Sequence, residues 1–207
     1  MRTRRWPLLS LLAFGYAFLY IPVLLLVIYS FNASRLVTVW GGFSTHWYGE
    51  LLGNDQILDA AWLSVRIATV NATLAMVLGA LAAMALVRYG RFRGRGGFEL
   101  LLTAPLVMPD VLIGLSLLLL FVAMQQAIGW PDGRGFTTIA IAHITFSMAY
   151  ATVVIRARLA QMDRSLEEAA QELGARPLVV YLRITLPLMA PALLSAWLLA
   201  FTLSLDD

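Results

Sequence analysis

The side chains that most often carry chemistry in proteins are scarce in this chain. It has no cysteine and only two histidines, His46 and His143, which lie far apart in the sequence. Neither a disulfide framework nor a thiolate metal site is therefore expected. The stretch "GRFRGRGG" from Gly90 to Gly97 lacks the Lys-Ser/Thr pair that holds nucleotide phosphate and magnesium in a P-loop. We expect no catalytic residue, no metal ligand and no cofactor bound by this chain.

Three aspartates suit binding better than catalysis. Asp110 follows Pro105 and Pro109 in an apolar stretch, and helical rise places it about 15 Å from the start of that stretch, near mid-membrane. A carboxylate there costs at least about 2.5 kcal/mol and should face a cavity or a partner. We hypothesise that Asp110 attracts an ammonium group of a cationic solute; the alternative is a structural carboxylate, satisfied by a neighbouring helix or protonated. Asp206 and Asp207 are further candidates to line the path of such a solute, or else they are solvent-exposed residues at the end of a span.

The longest polar stretch, residues 156–187, predicts a short capped helix. Ser165 is followed three residues later by Glu168, the pattern of a capping box in which the serine hydroxyl accepts an amide hydrogen bond and the glutamate reaches back. Glu167 and Glu168 then lie in the first turn, where the helix dipole favours negative charge. Gly174 stands where a left-handed residue ends a helix.

A second short helix is expected directly after the first. Pro177 suits the first helical position, the helix should run from Leu178 to about Ile184, and Pro187 predicts a break before the next apolar segment. Helices of two turns are not stable alone in water, so they must pack on the membrane surface, on the protein's own helix ends or on a soluble partner.

The composition of the first helix favours a protein partner. Glu167, Glu168 and Glu172 accompany the small residues Ala169 and Ala170, whereas a helix that lies on anionic lipid is normally basic with bulky apolar residues. Small alanines allow close approach of another surface, and the acidic rim can pair with arginines of that partner.

The rest of the chain indicates an integral membrane protein. It is 60% hydrophobic and 13% charged, with a mean hydropathy of +0.79, which exceeds what a soluble domain can bury. A helix needs about 20 apolar residues to cross the hydrocarbon core, and unbroken apolar runs without alternation predict helices rather than barrel strands. Five segments qualify: Leu8–Phe31, Ala61–Val87, Leu100–Ala123, Thr137–Ile155 and Leu188–Leu205.

The distribution of arginine predicts the orientation. All fifteen basic residues are arginine, and twelve of them fall on one side if the spans alternate. By the positive-inside rule that side, with the N-terminus and the 156–187 loop, is cytoplasmic. The first apolar run is too long for a signal peptide and is interpreted as a retained anchor. A short interfacial helix is predicted on the opposite side near Thr45–Leu52.

Small and polar residues inside the spans are expected to serve packing. Asn71 and His143 should form hydrogen bonds to adjacent helices, and Gly79 and Ala83 should allow close helix contact.

The polar stretch also carries a specific family resemblance. Its fixed residues resemble the EAA loop of bacterial ABC importer permeases, "EAA---G---------I-LP", at Glu168, Ala169, Ala170, Gly174, Ile184, Leu186 and Pro187. The stretches "FSTHWYGELL", "APLVMPDVLIGLSLLLLF" and "ITLPLMAPALLSAWLLAFTLSLDD" are similar to permeases of the polyamine group, those for putrescine above all.

The resemblance implies a fold, a function and partners. The fold is an all-α polytopic transmembrane bundle of the ABC importer permease type, a single domain over residues 1–207, in the bacterial inner membrane. Residues 156–187 are its cytoplasmic loop for coupling to an ATPase, through Glu167 and the seven motif residues. Expected partners are a second permease, two copies of an ATPase that binds ATP and magnesium, an external solute-binding protein and a cationic solute, but no nucleic acid. Such permeases usually have six spans and this sequence predicts five, which leaves open whether the chain is a fragment that lacks the sixth.

Several alternatives remain at this point. The solute of an ABC importer with this loop is a polyamine such as putrescine, or instead sulfate, phosphonate or iron. Different classes of protein are a self-sufficient channel, a proton-coupled secondary transporter or a non-transporting scaffold, and each of them would leave the acidic loop without its partner.

Overall fold

The structure, a computed structural model, describes residues 5–36 and 38–206, with the backbone alone at residues 5 and 6. These residues form two compact units, divided between Ala60 and Ala61, and each is described by itself. The organisation as a single domain stays a prediction.

The first unit contains two helices and an ordered connection. They are α1 (Arg5–Tyr29) and α2 (His46–Leu52), and α2 confirms the short helix predicted near Thr45–Leu52. The buried Asn32 organises the connection: its amide nitrogen donates to the Val39 carbonyl at 2.7 Å, and its amide oxygen accepts from the Gly41 N–H at 2.7 Å. The Trp47 indole donates to the Asn32 carbonyl at 2.9 Å, so one asparagine ties the end of α1 to the start of α2.

The second unit is also helical. Its elements are α3 (Asp55–Arg88), which begins within the first unit, α4 (Arg95–Val107), α5 (Asp110–Ile128), α6 (Phe136–Gln161), α7 (Ser165–Glu172), α8 (Pro177–Val180), a π-helical segment (Tyr181–Thr185) and α9 (Leu186–Asp206). Five helices of the described residues are long and apolar enough to cross a membrane: Pro7–Tyr29, Asp55–Arg88, Asp110–Ile128, Phe136–Gln161 and Pro177–Asp206. The predicted number of spans is confirmed, and the chain is a multi-pass membrane protein.

The predicted third span, Leu100–Ala123, is wrong as a single helix. Met108 is extended, with φ −78° and ψ 140°, and separates α4 from α5. Pro109 causes the break, because its ring disfavours helical backbone at the preceding residue. With 13 residues, α4 is too short to cross alone. Asp110 therefore opens α5 and does not lie ten residues into one continuous helix.

Small residues bring α3, α6 and α9 together. A methyl group at Gly79 would lie 3.0 Å from the Ala151 Cβ and 3.0 Å from the Thr152 backbone nitrogen, so α3 and α6 are in backbone contact there. The buried cluster along this seam consists mostly of alanine and aliphatic residues: Ala80, Ala83, Ala151, Ile155, Leu159, Met189 and Ala196. The predicted close packing at Gly79 and Ala83 is confirmed. In lipid, where apolar surface alone does not drive association, such close approach is what holds helices together.

Polar side chains link the same three helices. The buried Asn71 amide on α3 donates to the Ser147 hydroxyl on α6 at 3.1 Å and to the Ala200 carbonyl on α9 at 2.9 Å. The His143 Nδ1 on α6 lies 2.7 Å from the Ser204 hydroxyl on α9. Both predicted interhelical hydrogen bonds are confirmed, and they fix the register of α6 against its neighbours.

The predicted break at Pro187 is wrong. The chain is helical from Pro177 to Asp206, and the π segment provides the adjustment that a proline requires. The Leu186 N–H donates to the Tyr181 carbonyl, five residues back. A proline in a regular helix removes one backbone hydrogen bond, and its ring clashes with the carbonyl group four residues earlier. The wider π turn relieves that conflict, and α9 continues past Pro187 without a loop.

Candidate functional site

Helix α7 lies between α6 and α8, and its N-terminus differs from the prediction. Ser165 does not act as the N-cap acceptor; its backbone N–H instead donates to the Asp163 carboxylate at 3.0 Å. The Ser165 backbone and hydroxyl groups donate to this exposed carboxylate and lower the pKa of Asp163 below its ordinary value. The capping box of Ser165 and Glu168 is therefore wrong, because an aspartate two residues earlier, which keeps its charge at neutral pH, takes the amide.

The C-terminus of α7 agrees with the prediction. Gly174 has φ +85°, in the left-handed region that glycine adopts without steric cost. Its N–H donates to the Gln171 carbonyl at 2.9 Å, and the Ala175 N–H donates to the Ala170 carbonyl at 3.0 Å. These two bonds form a Schellman motif. The glycine of the EAA pattern thus fixes where α7 stops.

The two adjacent glutamates of α7 have different environments. The Glu167 Oε1 lies 2.9 Å from the Arg88 Nη2 at the end of α3 and accepts from the Thr185 hydroxyl at 2.9 Å. Only 14% of the Arg88 side chain and 17% of the Glu167 side chain are exposed. Glu168 is exposed. Glu167 is therefore committed to an internal contact, whereas Glu168 is free to meet another protein.

The outward face of α7 combines apolar and acidic groups. Leu173 is 90% exposed and Leu166 is 51% exposed; Ala169 lies between them and is also exposed, as is Glu172. The positions 166, 169 and 173 recur at helical spacing, so they share one face. The two leucines were not among the residues predicted for coupling, although this spacing was sufficient to find them. Leu166, Ala169 and Leu173 thus form an exposed apolar strip beside the exposed Glu172.

The remaining residues of the predicted coupling motif do not lie at one surface. Ile184 belongs to the π segment and is partly buried. Leu186 and Pro187 open α9 and line an apolar groove with Met76 and Trp197, whereas Glu167 and Glu168 line a cleft of about 310 Å³ at the end of α3. The structure thus places the two glutamates in the cleft at the end of α3 and the Leu186–Pro187 pair in a separate apolar groove.

Asp110 lies at a second cavity. It opens α5 and lines a space of about 320 Å³ together with His143 and Phe146 of α6. Asp110 is exposed, and the Nδ1 of His143 lies 2.7 Å from the Ser204 hydroxyl. Asp110 is thus an acidic residue in the first turn of α5 that borders an open space.

The other two pathway candidates receive less support from the geometry. Asp206 is the last residue of α9, is exposed and is absent from the residues that line the Asp110 cavity. Asp207 lies outside the described residues. In residues 5–36 and 38–206 there is no group of three or more histidine, aspartate or glutamate side chains placed to hold a metal ion.

Comparisons with known proteins agree with this architecture. Residues 75–207 match the family described as "Binding-protein-dependent transport system inner membrane component". The chain is 61% identical over 202 residues to the putrescine transport system permease protein PotI of Escherichia coli K12, covering 98% of this chain and 72% of that protein. It is 44% identical over 192 residues to the spermidine/putrescine transport system permease protein PotC of Haemophilus influenzae, covering 93% of this chain and 72% of that protein.

A solved structure shows the same fold. The chain resembles a chain of a bacterial ABC transporter involved in the import of the acidic polysaccharide alginate, with a TM-score of 0.70 at 16% identity, over 92% of this chain and 70% of that one. At this identity the likeness speaks for the fold alone, and that fold is the transmembrane bundle of an ABC importer permease. The family match and the relatives together place this chain in the family of inner membrane components of binding-protein-dependent transport systems.

Proposed function

We propose that this chain is a permease subunit of an ATP-driven ABC importer that carries putrescine or a related polyamine into the cytoplasm. The observation that carries the proposal is the likeness, over almost the whole chain, to a permease named for putrescine transport. The five spanning helices and the acidic α7 are consistent with it. An importer for sulfate, phosphonate or iron, and a self-sufficient channel or secondary transporter, are not favoured.

The exposed face of α7 is the proposed ATPase-docking surface. Leu166, Ala169 and Leu173 supply apolar contact, and Glu168 and Glu172 supply negative charge for arginines of the partner. ATP and magnesium are bound by that partner, so the permease carries no hydrolytic residue. It receives mechanical work at α7 and changes the opening of its bundle.

The arrangement in the membrane follows from the arginine distribution. We place the N-terminus and α7 in the cytoplasm of a bacterium, since twelve of fifteen arginines lie on that side of alternating spans. The complete importer then contains a second permease, two ATPase subunits and an external solute-binding protein.

The cavity at Asp110 is the proposed contact for the solute. A carboxyl group at the start of α5, with Phe146 lining the same space, suits an alkyl ammonium ion, since carboxyl oxygens accept its hydrogen bonds and an aromatic ring attracts cations. In the intact importer, Asp110→Asn should lower uptake of putrescine while leaving ATPase assembly unchanged. The idea is wrong if uptake and solute preference both stay as in the parent protein. Asp206→Asn and Asp207→Asn test the other two pathway candidates in the same assay.

The coupling proposal is tested by capture of the ATPase. The full-length permease, purified from membranes that contain the importer, should retain its ATPase subunit. Glu168→Ala and Gly174→Val should reduce the retained ATPase, because the first removes a docking charge and the second distorts the end of α7. Glu50→Ala is the matched control, since this exposed glutamate of α2 is remote in sequence from the docking surface. Uptake that continues in vesicles without any ATPase subunit would refute the proposed function.

The solute is tested separately. Putrescine, spermidine and sulfate are compared as competitors of labelled putrescine in vesicles that contain the importer and its solute-binding protein. Competition by the amines alone supports a polyamine importer, and competition by sulfate contradicts it.

A further inference from the structure

We infer that Arg88, Glu167 and Thr185 form a latch that transmits force from α7 into the membrane bundle, while the adjacent Glu168 serves docking. The inference rests on the proposed function, and it divides two neighbouring glutamates into two roles. Arg88 and Glu167 are positioning residues, and they are not part of the proposed docking surface for the ATPase.

The latch joins three elements at one carboxylate. Glu167 Oε1 on α7 bonds to the Arg88 guanidinium at the end of α3 and to the Thr185 hydroxyl in the π segment, each at 2.9 Å. A second strap lies beside it, where the Arg164 guanidinium donates to the Val87 carbonyl at 2.7 Å. The start of α7 is therefore fixed to the last two residues of α3.

Thr185 behaves unlike other threonines in the spanning helices. Five of them donate their hydroxyl to the carbonyl four residues back, the usual arrangement within a helix: Thr69, Thr73, Thr145, Thr152 and Thr202. Thr103 of α4 does the same. Thr185 lies in the π segment, where the backbone pairs five residues back, and its hydroxyl donates to Glu167. The local change of helix type thus frees this hydroxyl for the latch.

Arg88 depends on Glu167. The Arg88 Nε is buried and, among the residues that the structure describes, finds no acceptor. The Glu167 carboxylate is therefore the charge that compensates a largely buried guanidinium, and neutralising Glu167 would leave that cation without its counterion. Glu168, one residue further along α7, is exposed and does not compensate a buried cation.

The mechanical consequence concerns coupling and not attachment. A push on the exposed face of α7 reaches α3 through Arg88 and reaches α9 through Thr185, because the π segment continues directly into α9. Without the latch, α7 can still dock through Leu166, Glu168 and Leu173, but it can tilt against the bundle. ATP would then be hydrolysed with little movement of the solute pathway.

The test measures three quantities on the intact importer in proteoliposomes: ATPase retained by the permease, ATP hydrolysis stimulated by the solute-binding protein with putrescine, and putrescine taken up per ATP hydrolysed. The variants are Glu167→Gln, Thr185→Val and the exchanged pair Arg88→Glu with Glu167→Arg, and the matched control is Glu168→Gln. Thr185→Val is close in size to the parent residue and removes no charge, which keeps the test valid if a charge variant fails to fold.

We expect Glu167→Gln and Thr185→Val to retain the ATPase and to lower putrescine taken up per ATP about 2- to 30-fold, the range of coupling energies between linked sites. The exchanged pair should recover part of the putrescine uptake per ATP that Glu167→Gln loses. Glu168→Gln should lower retained ATPase and uptake together and leave the ratio unchanged.

The opposite pattern overturns the latch. If Glu167→Gln and Thr185→Val keep the parent ratio, or lose ATPase in proportion to uptake, the contact is only structural and the inference is wrong. That failure is distinct from failure of the proposed function, which would appear as a parent permease that retains no ATPase at all.

Discussion

Gly79→Ala probes the closest helix contact of the bundle. The added methyl group would lie 3.0 Å from the Ala151 Cβ and 3.0 Å from the Thr152 backbone nitrogen. Non-bonded carbon atoms pack best at about 3.5 to 4.0 Å. Ala151 and Thr152 are both buried in α6, and one of the two obstacles is backbone, so rotation of a side chain cannot relieve the clash. The two helices must separate by roughly half an ångström or more.

Two opposing terms set the size of the effect. Alanine is preferred over glycine within a helix by about 1 kcal/mol, which favours the variant. Overpacking of a tight contact costs about 1–3 kcal/mol, which opposes it. We expect Gly79→Ala to lower the free energy of unfolding by up to about 2 kcal/mol, although the same change at an open helical site stabilises.

The matched control separates the two terms. Gly15 lies within α1, and a methyl group added there meets nothing within 4 Å. Gly15→Ala therefore contains the helix preference without the clash, and the difference between the two variants gives the steric cost. Unfolding is measured in detergent micelles by titration with a denaturing surfactant, followed by circular dichroism. If Gly79→Ala is as stable as Gly15→Ala, the close α3–α6 contact does not exist.

Three further changes test other parts of the structure. Asn71→Ala removes a buried amide that bonds to two helices. Each membrane hydrogen bond contributes about 0.6 kcal/mol and lost packing adds to this, so the variant should lower the free energy of unfolding by about 1–3 kcal/mol in the same titration. An unchanged midpoint contradicts this prediction. Gly174→Ala forces a side chain into left-handed backbone and should cost about 1–2 kcal/mol, seen as faster amide exchange in α7, with Gly174→Asn milder. The lowered pKa of Asp163 means that its support of α7 is complete above the ordinary value of 3.8 and is lost as the pH falls through the lower folded pKa. Exchange at the Ser165 amide should accelerate over that acid range, and Asp163→Asn should abolish the pH dependence.

The number of spans could be predicted from the sequence because it depends on a property of single segments. A run of about 20 apolar residues has few alternatives to a membrane helix. The left-handed Gly174 and the helical start at Pro177 were likewise predictable, because each depends on the backbone preference of one residue. The resemblance to the EAA loop added the family, which no backbone preference could supply.

Proline effects were predicted less well, since they depend on neighbours. Pro109 ends a helix, whereas Pro105 lies within α4 and Pro191 within α9. Pro187 is accommodated by a π turn that no local pattern predicted. A proline in a spanning helix removes one hydrogen bond, and the surroundings decide whether the helix bends, widens or stops.

Contacts between distant residues were beyond prediction for a different reason. Glu167 was expected to face an ATPase. Its contact with Arg88 could not be foreseen, because helical periodicity gives the face on which a residue lies but not the element that covers that face. Arg88 lies 79 residues away along the chain. Its position at the end of α3 depends on how α3 packs on α6 and α9, and that packing is set by Gly79 and the alanines of the seam.

The continuity of α9 connects the two candidate sites. Its helical run begins beside Thr185, which bonds to Glu167 of α7, and near its other end Ser204 bonds to His143, which lines the cavity with Asp110. The 21 residues of α9 span about 30 Å, the thickness of the hydrocarbon core. Pro191 removes one backbone hydrogen bond of α9, but the helix continues past it to Asp206, so α9 moves as one rod over short displacements. A shift of the π segment by α7 must therefore reach the wall of the Asp110 cavity, unless α9 bends or slides past α6. The Asn71 bond to the Ala200 carbonyl opposes such sliding. Under the proposed coupling, the interhelical polar bonds therefore carry force as well as hold the helices together.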